Sequence, residues 1–163
     1  MPTNKNHENS LIKNLEHLLD KGHAHVSLDD ALKDLPFEVL GEKPGNLPYS
    51  IWQLTSHIRI AQWDILEFSR NENHISPKWP EGYWPAEAGP GSIAEWEKCM
   101  LQIKDDRKAF IKLLKDAGDQ LYAPFPYGDG QSLLKEALVL ADHNSYHTGE
   151  IIVVRKLLNV WNR

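Results

Sequence analysis

The chain has 163 residues, 41% hydrophobic and 25% charged, which suits one globular domain over residues 1–163 and argues against disorder. Its net charge of −5, with no run of Lys and Arg, excludes the basic stripe that nucleic-acid binding requires. The polar start Met1-Pro2-Thr3-Asn4-Lys5-Asn6-His7 holds no apolar signal core, and no segment approaches a membrane span. The expectation is therefore a cytoplasmic protein with neither nucleic acid nor membrane as partner.

Long amphipathic segments dominate, and none alternates as a strand does. A first helix is predicted from about Ser10 to Lys21, with Leu11, Leu15 and Leu18 on one side and Gly22 as its stop. A short helix follows, with Ser27 as N-cap and Asp30 three residues on. Residues 36–48 form a Gly/Pro loop. The second long helix starts near Ser50 with the seam Ile51, Leu54, Ile58, Ala61, Ile65, Phe68. Residues 72–91 are a long connection, unusual in a compact domain. Its stretch Lys78-Trp79-Pro80-Glu81-Gly82-Tyr83-Trp84-Pro85 is too aromatic for a free linker and is expected to pack down over an opening.

The third long helix begins on Ser92 and closes at Gly118. Its seam (Ile93, Trp96, Met100, Ile103, Phe110, Leu114, Ala117) is interrupted by Arg107. Cys99, just off that seam, is the only cysteine, so there is no internal disulfide and no thiolate cluster. It reads as a small half-buried hydrophobe rather than a nucleophile. The fourth long helix runs from about Gln131 to Asn159. Four such helices, with the long connection between the second and third, predict an all-α four-helix bundle on an up-down-down-up path. On that path the second and fourth long helices are antiparallel.

His143 and His147 stand one helical turn apart, on the face that carries Leu133, Ala137, Leu140, Ile151, Val154 and Leu158. Two polar rings in an apolar seam are costly unless something satisfies them. His57, on the second long helix, lies about 10 Å from that helix's N-terminal end; His147 and His143 lie about 17 and 23 Å from the C-terminal end of theirs. Antiparallel packing makes those ends neighbours. Three imidazoles from two helices suit Zn²⁺, Ni²⁺ or another divalent transition metal, and three protein ligands leave a position open. The competing account is buried histidines hydrogen-bonded to Asn144 or Arg107. His7, His17, His23, His25 and His74 sit near the polar terminus, in a turn or in a loop, and need no special account.

Arg107 admits two readings, a substrate-carboxylate anchor or a buried ion pair with Asp64 or Glu67. Asp64, two turns along from His57, reads as a base, a residue orienting a ligand, or a paired carboxylate. Tyr146 and Glu150 neighbour His147 and are candidates to orient it. H-E-x-x-H, paired E-x-x-H, Walker, G-x-G-x-x-G and G-x-S-x-G motifs are absent from the sequence.

These residues together resemble the DinB/YfiT-like superfamily. His57, His143 and His147 match its histidine triad. Residues 49–65, the segment Trp79-Pro80-Glu81-Gly82-Tyr83-Trp84-Pro85, and Asp142-His143-Asn144-Ser145-Tyr146-His147-Thr148-Gly149-Glu150 are similar to its segments. The resemblance implies an up-down-down-up bundle, a divalent metal (zinc or nickel) on the triad, and often a homodimer. It implies little about which substrate is used, though in relatives such as thiol-dependent S-transferases and a mycothiol-dependent maleylpyruvate isomerase the metal activates a low-molecular-weight thiol; a small-molecule substrate, with such a thiol as cosubstrate, is the expected partner. A metal-dependent S-transferase or hydrolase is the leading expectation. A non-catalytic metal-binding or stress-response module and a plain structural bundle are the alternatives.

Overall fold

A computed structural model describes residues 3–22 and 24–161; His23, read above as a turn residue, lies outside them. The described chain is all helical: α1 (Thr3–Lys21), α2 (Leu28–Leu32), α3 (Ile51–Arg70), α4 (Ile93–Asp116) and α5 (Leu133–Leu157), with three short 3-10 turns in the connections. No described helix is long and apolar enough to cross a membrane. Helix α1 begins seven residues before the predicted Ser10. The apolar seam that signals it starts only at Leu11, while a helix once anchored there extends into polar residues at little cost.

Helices α2 to α5 each begin on a serine whose hydroxyl accepts a backbone N–H three residues on: Ser27 from Asp30, Ser50 from Gln53, Ser92 from Glu95 and Ser132 from Lys135. At Ser50 the Gln53 side chain also returns to the cap's backbone N–H, 3.3 Å away, completing a capping box. The same hydroxyl donates to the Ala88 carbonyl in the connection before α4. Ser50→Ala is therefore expected to cost about 1–2 kcal/mol, the upper part of the range for a lost cap. Ser92→Ala, a loss of helix cap alone, should cost less. Urea unfolding of the two variants checks this, and equal losses would show that the Ala88 bond adds nothing.

Helix α3 is buried all round over residues 51–58 and packs against both α4 and α5, while α1 packs against α4 and α5 from the other side. Side-chain pairs give the relative sense of the helices. Tyr49 meets Glu150, His57 meets His143, and Tyr127, before α5, meets Phe68, so α3 and α5 run in opposite directions. Trp52 meets Trp96 and Gln62 meets Ile103, so α3 and α4 run the same way, as the long connection requires. Glu16 meets Lys115, and Asp20 meets Arg107.

The core has two apolar parts. One gathers Leu28, Leu32, Leu40, Ile51, Leu54, Ile58, Ile103, Ile151 and Val154; the other gathers Leu15, Leu19, Leu66, Phe110, Leu114, Leu133 and Leu140. Between them runs a polar layer. Gln62, fully buried, donates to the Ile103 carbonyl at 2.7 Å and accepts from Asn144 at 3.2 Å, joining α3, α4 and α5 at one level. Satisfied on both sides, this amide fixes the axial register of three helices.

Arg107 belongs to the same layer on the side of α1 and α2. It donates to Asp29 at 2.7 Å and lies 3.6 Å from Asp20. The ion-pair reading of Arg107 is right in kind but wrong in partner, because α4 turns this residue away from Asp64 and Glu67. Glu67 pairs with Arg70 on its own helix. Cys99 is buried rather than half-buried.

Asp106 carries a strained charge. Its Oδ2 is buried without a partner, and burial raises its pKa above the ordinary 3.8. A raised carboxyl pKa means the fold favours the protonated form. The stability this group contributes is complete below pH 3.8 and is lost as pH rises through the folded value. Asp106→Asn is thus expected to be more stable than the parent at neutral pH, with the advantage shrinking as the pH falls through the raised folded value toward 3.8 and constant below it. Denaturant midpoints across that window check it, and a constant difference at every pH would refute it.

Candidate metal centre

The capping box at Ser50 sets where α3 begins and so places His57 in its second turn, facing α5. On α5 the apolar residues on either side, Leu140 and Ile151, are fully buried, which turns the intervening His143 and His147 toward α3. One ring nitrogen from each of His57, His143 and His147 lies within 4.8 Å of the others. His57 is 2% exposed and His147 7%, with His143 half-buried.

The outer nitrogens decide which way the lone pairs point. His57 Nδ1 sits 3.0 Å from the Tyr83 carbonyl, and a carbonyl only accepts, so Nδ1 carries the proton and Nε2 faces inward bare. His147 Nδ1 is 2.6 Å from Glu150 Oε2, which fixes the same tautomer. Glu150 is itself held by the Tyr49 hydroxyl, which donates to Oε1 at 2.7 Å. That bond, ahead of burial, pushes the Tyr49 pKa up to about 12. His143 Nε2 stands 2.9 Å from His57 Nε2. Without a cation that contact needs a proton from His143, which then turns its Nδ1 lone pair toward the Asn144 amide oxygen at 3.5 Å.

Burial, the largest effect at both, lowers the pKa of His57 and that of His143, the latter to about 4 with His147 and His57 adding to it. Both rings are therefore neutral at physiological pH, the form a metal ion needs.

The connection between α3 and α4 forms the roof. Two α3 side chains and the α3 cap, spaced about one turn apart, bind three of its carbonyls: His57 to Tyr83, Gln53 to Pro85 at 3.3 Å, and Ser50 to Ala88. Trp84 stacks flat on His57, centroids 4.0 Å apart and planes 4° off parallel. The expected packing of this aromatic stretch over an opening is what the structure has. Below it is a cavity of about 340 Å³ lined by the three histidines, Asp64, Ala61, Ile65, Trp79, Tyr83 and Trp84.

Asp64 enters that cavity as an oriented carboxylate, accepting from the Tyr83 hydroxyl and, at 2.6 Å, from His74 Nε2. Burial first, then the Asp64 bond, pushes the Tyr83 pKa up to about 12. His74, which needed no account on sequence, has a side chain only 7% exposed. Arg107 does not line the cavity, so the structure does not bring it to the histidines. Tyr146 is 64% exposed and touches His147 edge-on, whereas Glu150 holds it directly. Tyr49 and His74 carry no sequence signal for these contacts, because loop residues have no periodicity to mark the side they face.

The family pattern of the DinB superfamily matches residues 22–151. The chain belongs to the DinB superfamily. That match spans α2 to most of α5, so the resemblance to this superfamily holds. No curated protein and no solved structure matches the chain. Around the histidines this chain has a Tyr49–Glu150–His147 relay and an Asp64–His74–Tyr83 cluster.

Proposed function

We propose that this DinB-superfamily chain binds a divalent metal ion, zinc or nickel, through His57, His143 and His147, and acts as a metal-dependent enzyme on a small molecule. One observation carries the reading. The proton-bearing outer nitrogens of His57 and His147 are engaged by acceptors, so their bare Nε2 atoms converge with His143 on one point. Donors bound tetrahedrally at about 2.0–2.1 Å lie roughly 3.3 Å apart, which a cluster within 4.8 Å meets with small ring movements. When bound, the ion would supply Lewis acidity, lowering the pKa of a water or of a low-molecular-weight thiol.

The chain's own residues do the rest. Trp84 and Trp79 shield the histidines from bulk water and give a small substrate an apolar wall. Tyr83, kept protonated, spends its one O–H on Asp64 and holds that carboxylate at the cavity. Asp64, held by His74 and Tyr83, is a carboxylate aimed at a substrate proton. Arg107 has no part in this scheme, because Asp29 and Asp20 take its guanidinium. Thiol S-transfer and hydrolysis are the reaction classes that fit.

A second reading, a non-catalytic metal-binding or stress-response module, is favoured by the roof, which His57, Gln53 and the cap residue Ser50 pin in place. Elemental analysis followed by thiol-transfer and ester-hydrolysis screens with several small thiols tests both. Bound metal with turnover supports the enzyme, and bound metal without turnover supports the module. Protein that takes up neither ion rules out both.

A further inference from the structure

A second cavity, about 450 Å³, lies on the opposite face of α3, between α3, α4 and the far end of the connection. It shares no lining residue with the histidine cavity. Its floor is Trp52, Ile60 and the buried Cys99 thiol, which burial pushes up to about 11 and so keeps uncharged.

Two polar groups facing this space are under-used. Ser56 is 2% exposed, and its Oγ is buried with no nitrogen or oxygen partner, only the Cys99 sulfur beside it. Arg59 is half-buried; its Nη1 donates to Gln102 at 3.3 Å, the Cys99 sulfur lies against it, and the Asp106 carboxylate acts on it from beyond ion-pair distance, so among the described residues no carboxylate takes its fork. A partly desolvated guanidinium with an open fork is suited to a planar, two-oxygen acceptor.

The rim limits the charge of the ligand. Lys98 adds a second positive charge, but Glu87 and Glu95 oppose it, and Glu95 is already committed to the Gly91 N–H at 2.6 Å. That balance disfavours a multiply charged anion. We infer that this cavity binds a small monocarboxylate with an apolar body, its carboxylate on the Arg59 fork and its body against Trp52 and Ile60. Ser56, its Oγ buried against the Cys99 sulfur, completes the cavity wall.

The test is titration of the full chain with phenylacetate and isocaproate against their amides, followed by calorimetry and by amide NMR shifts. Saturable binding of the acids is expected in the millimolar range or tighter, with the amides weaker by about tenfold or more, the effect of a lost charged hydrogen bond. Arg59→Gln should weaken the acids to the level of the amides. Arg59 bonds only the Gln102 amide and the Cys99 sulfur, both neutral, so its loss strands no charge, and Arg59→Lys, which keeps the charge without the fork, should fall between. Equal binding of acid and amide, unchanged affinity in Arg59→Gln, or no saturable binding of either acid overturns the inference. His147→Ala should bind the acids like the parent, so the outcome is independent of the metal.

Discussion

Replacing His147 with alanine is expected to abolish metal uptake while leaving the helical fold in place. The ring contributes one of three convergent nitrogens and sits between α3 and α5, but the apolar seam around it, Leu140, Ile151 and Val154, remains intact. Glu150 keeps the Tyr49 bond, so no carboxylate is orphaned. In the parent protein, metal at about a hundredfold over its Kd adds roughly 2.7 kcal/mol of stability. For a chain of this size that is a rise in melting temperature of roughly 5–11 °C. The variant should show none of that rise and a near-parental helical spectrum. Undiminished metal content in His147→Ala would remove these histidines as the ligands. A metal-dependent rise surviving in the variant would do the same.

Glu150→Gln should weaken metal affinity by about 10–100-fold, the range found when a group that orients a metal-bound histidine is lost. The reason lies in donor counting. Glu150 accepts from two donors at once, the Tyr49 hydroxyl at Oε1 and His147 Nδ1 at Oε2. Glutamine has one carbonyl oxygen and one amide N–H₂, so one donor must face another donor. If His147 is the one displaced, its proton moves to Nε2 and the lone pair needed at the centre is gone. Tyr49→Phe, which frees one carboxylate oxygen but leaves His147 its acceptor, should cost less. Competition titration with a chromophoric chelator measures all three proteins. Equal affinity for Glu150→Gln and the parent would show that the relay does not set the tautomer.

How much of this was readable beforehand varies residue by residue. His143 and His147 stood out because a turn-spaced pair on an apolar seam is a physical anomaly in any helix. The caps at Ser27 and Ser92 were equally local: a serine followed by a periodic run needs no knowledge of the rest of the chain, and both cap helices. The start of α1 was misplaced because nothing local distinguishes a polar helical extension from a loop. Arg107 was recognised as a charge on an apolar face, yet its partners are Asp29 and Asp20, more than seventy residues away in the chain. Which helix faces a given seam residue is set by packing, and no spacing rule contains it.

The sequence by itself determined the helices, their caps, the polar break in the apolar seams, and the residue types able to hold a metal. Those follow from interactions between residues a few positions apart, which the chain carries wherever it goes. Only the tertiary structure decided that His57 meets His143 and His147, that Glu150 and the Tyr83 carbonyl leave His57 and His147 with inward lone pairs, that Trp84 covers the cluster, and that Asp64 rather than Arg107 stands beside it. Each of these depends on the rotation and register of helices packed against one another and on the path of a connection. Both are set by the core as a whole.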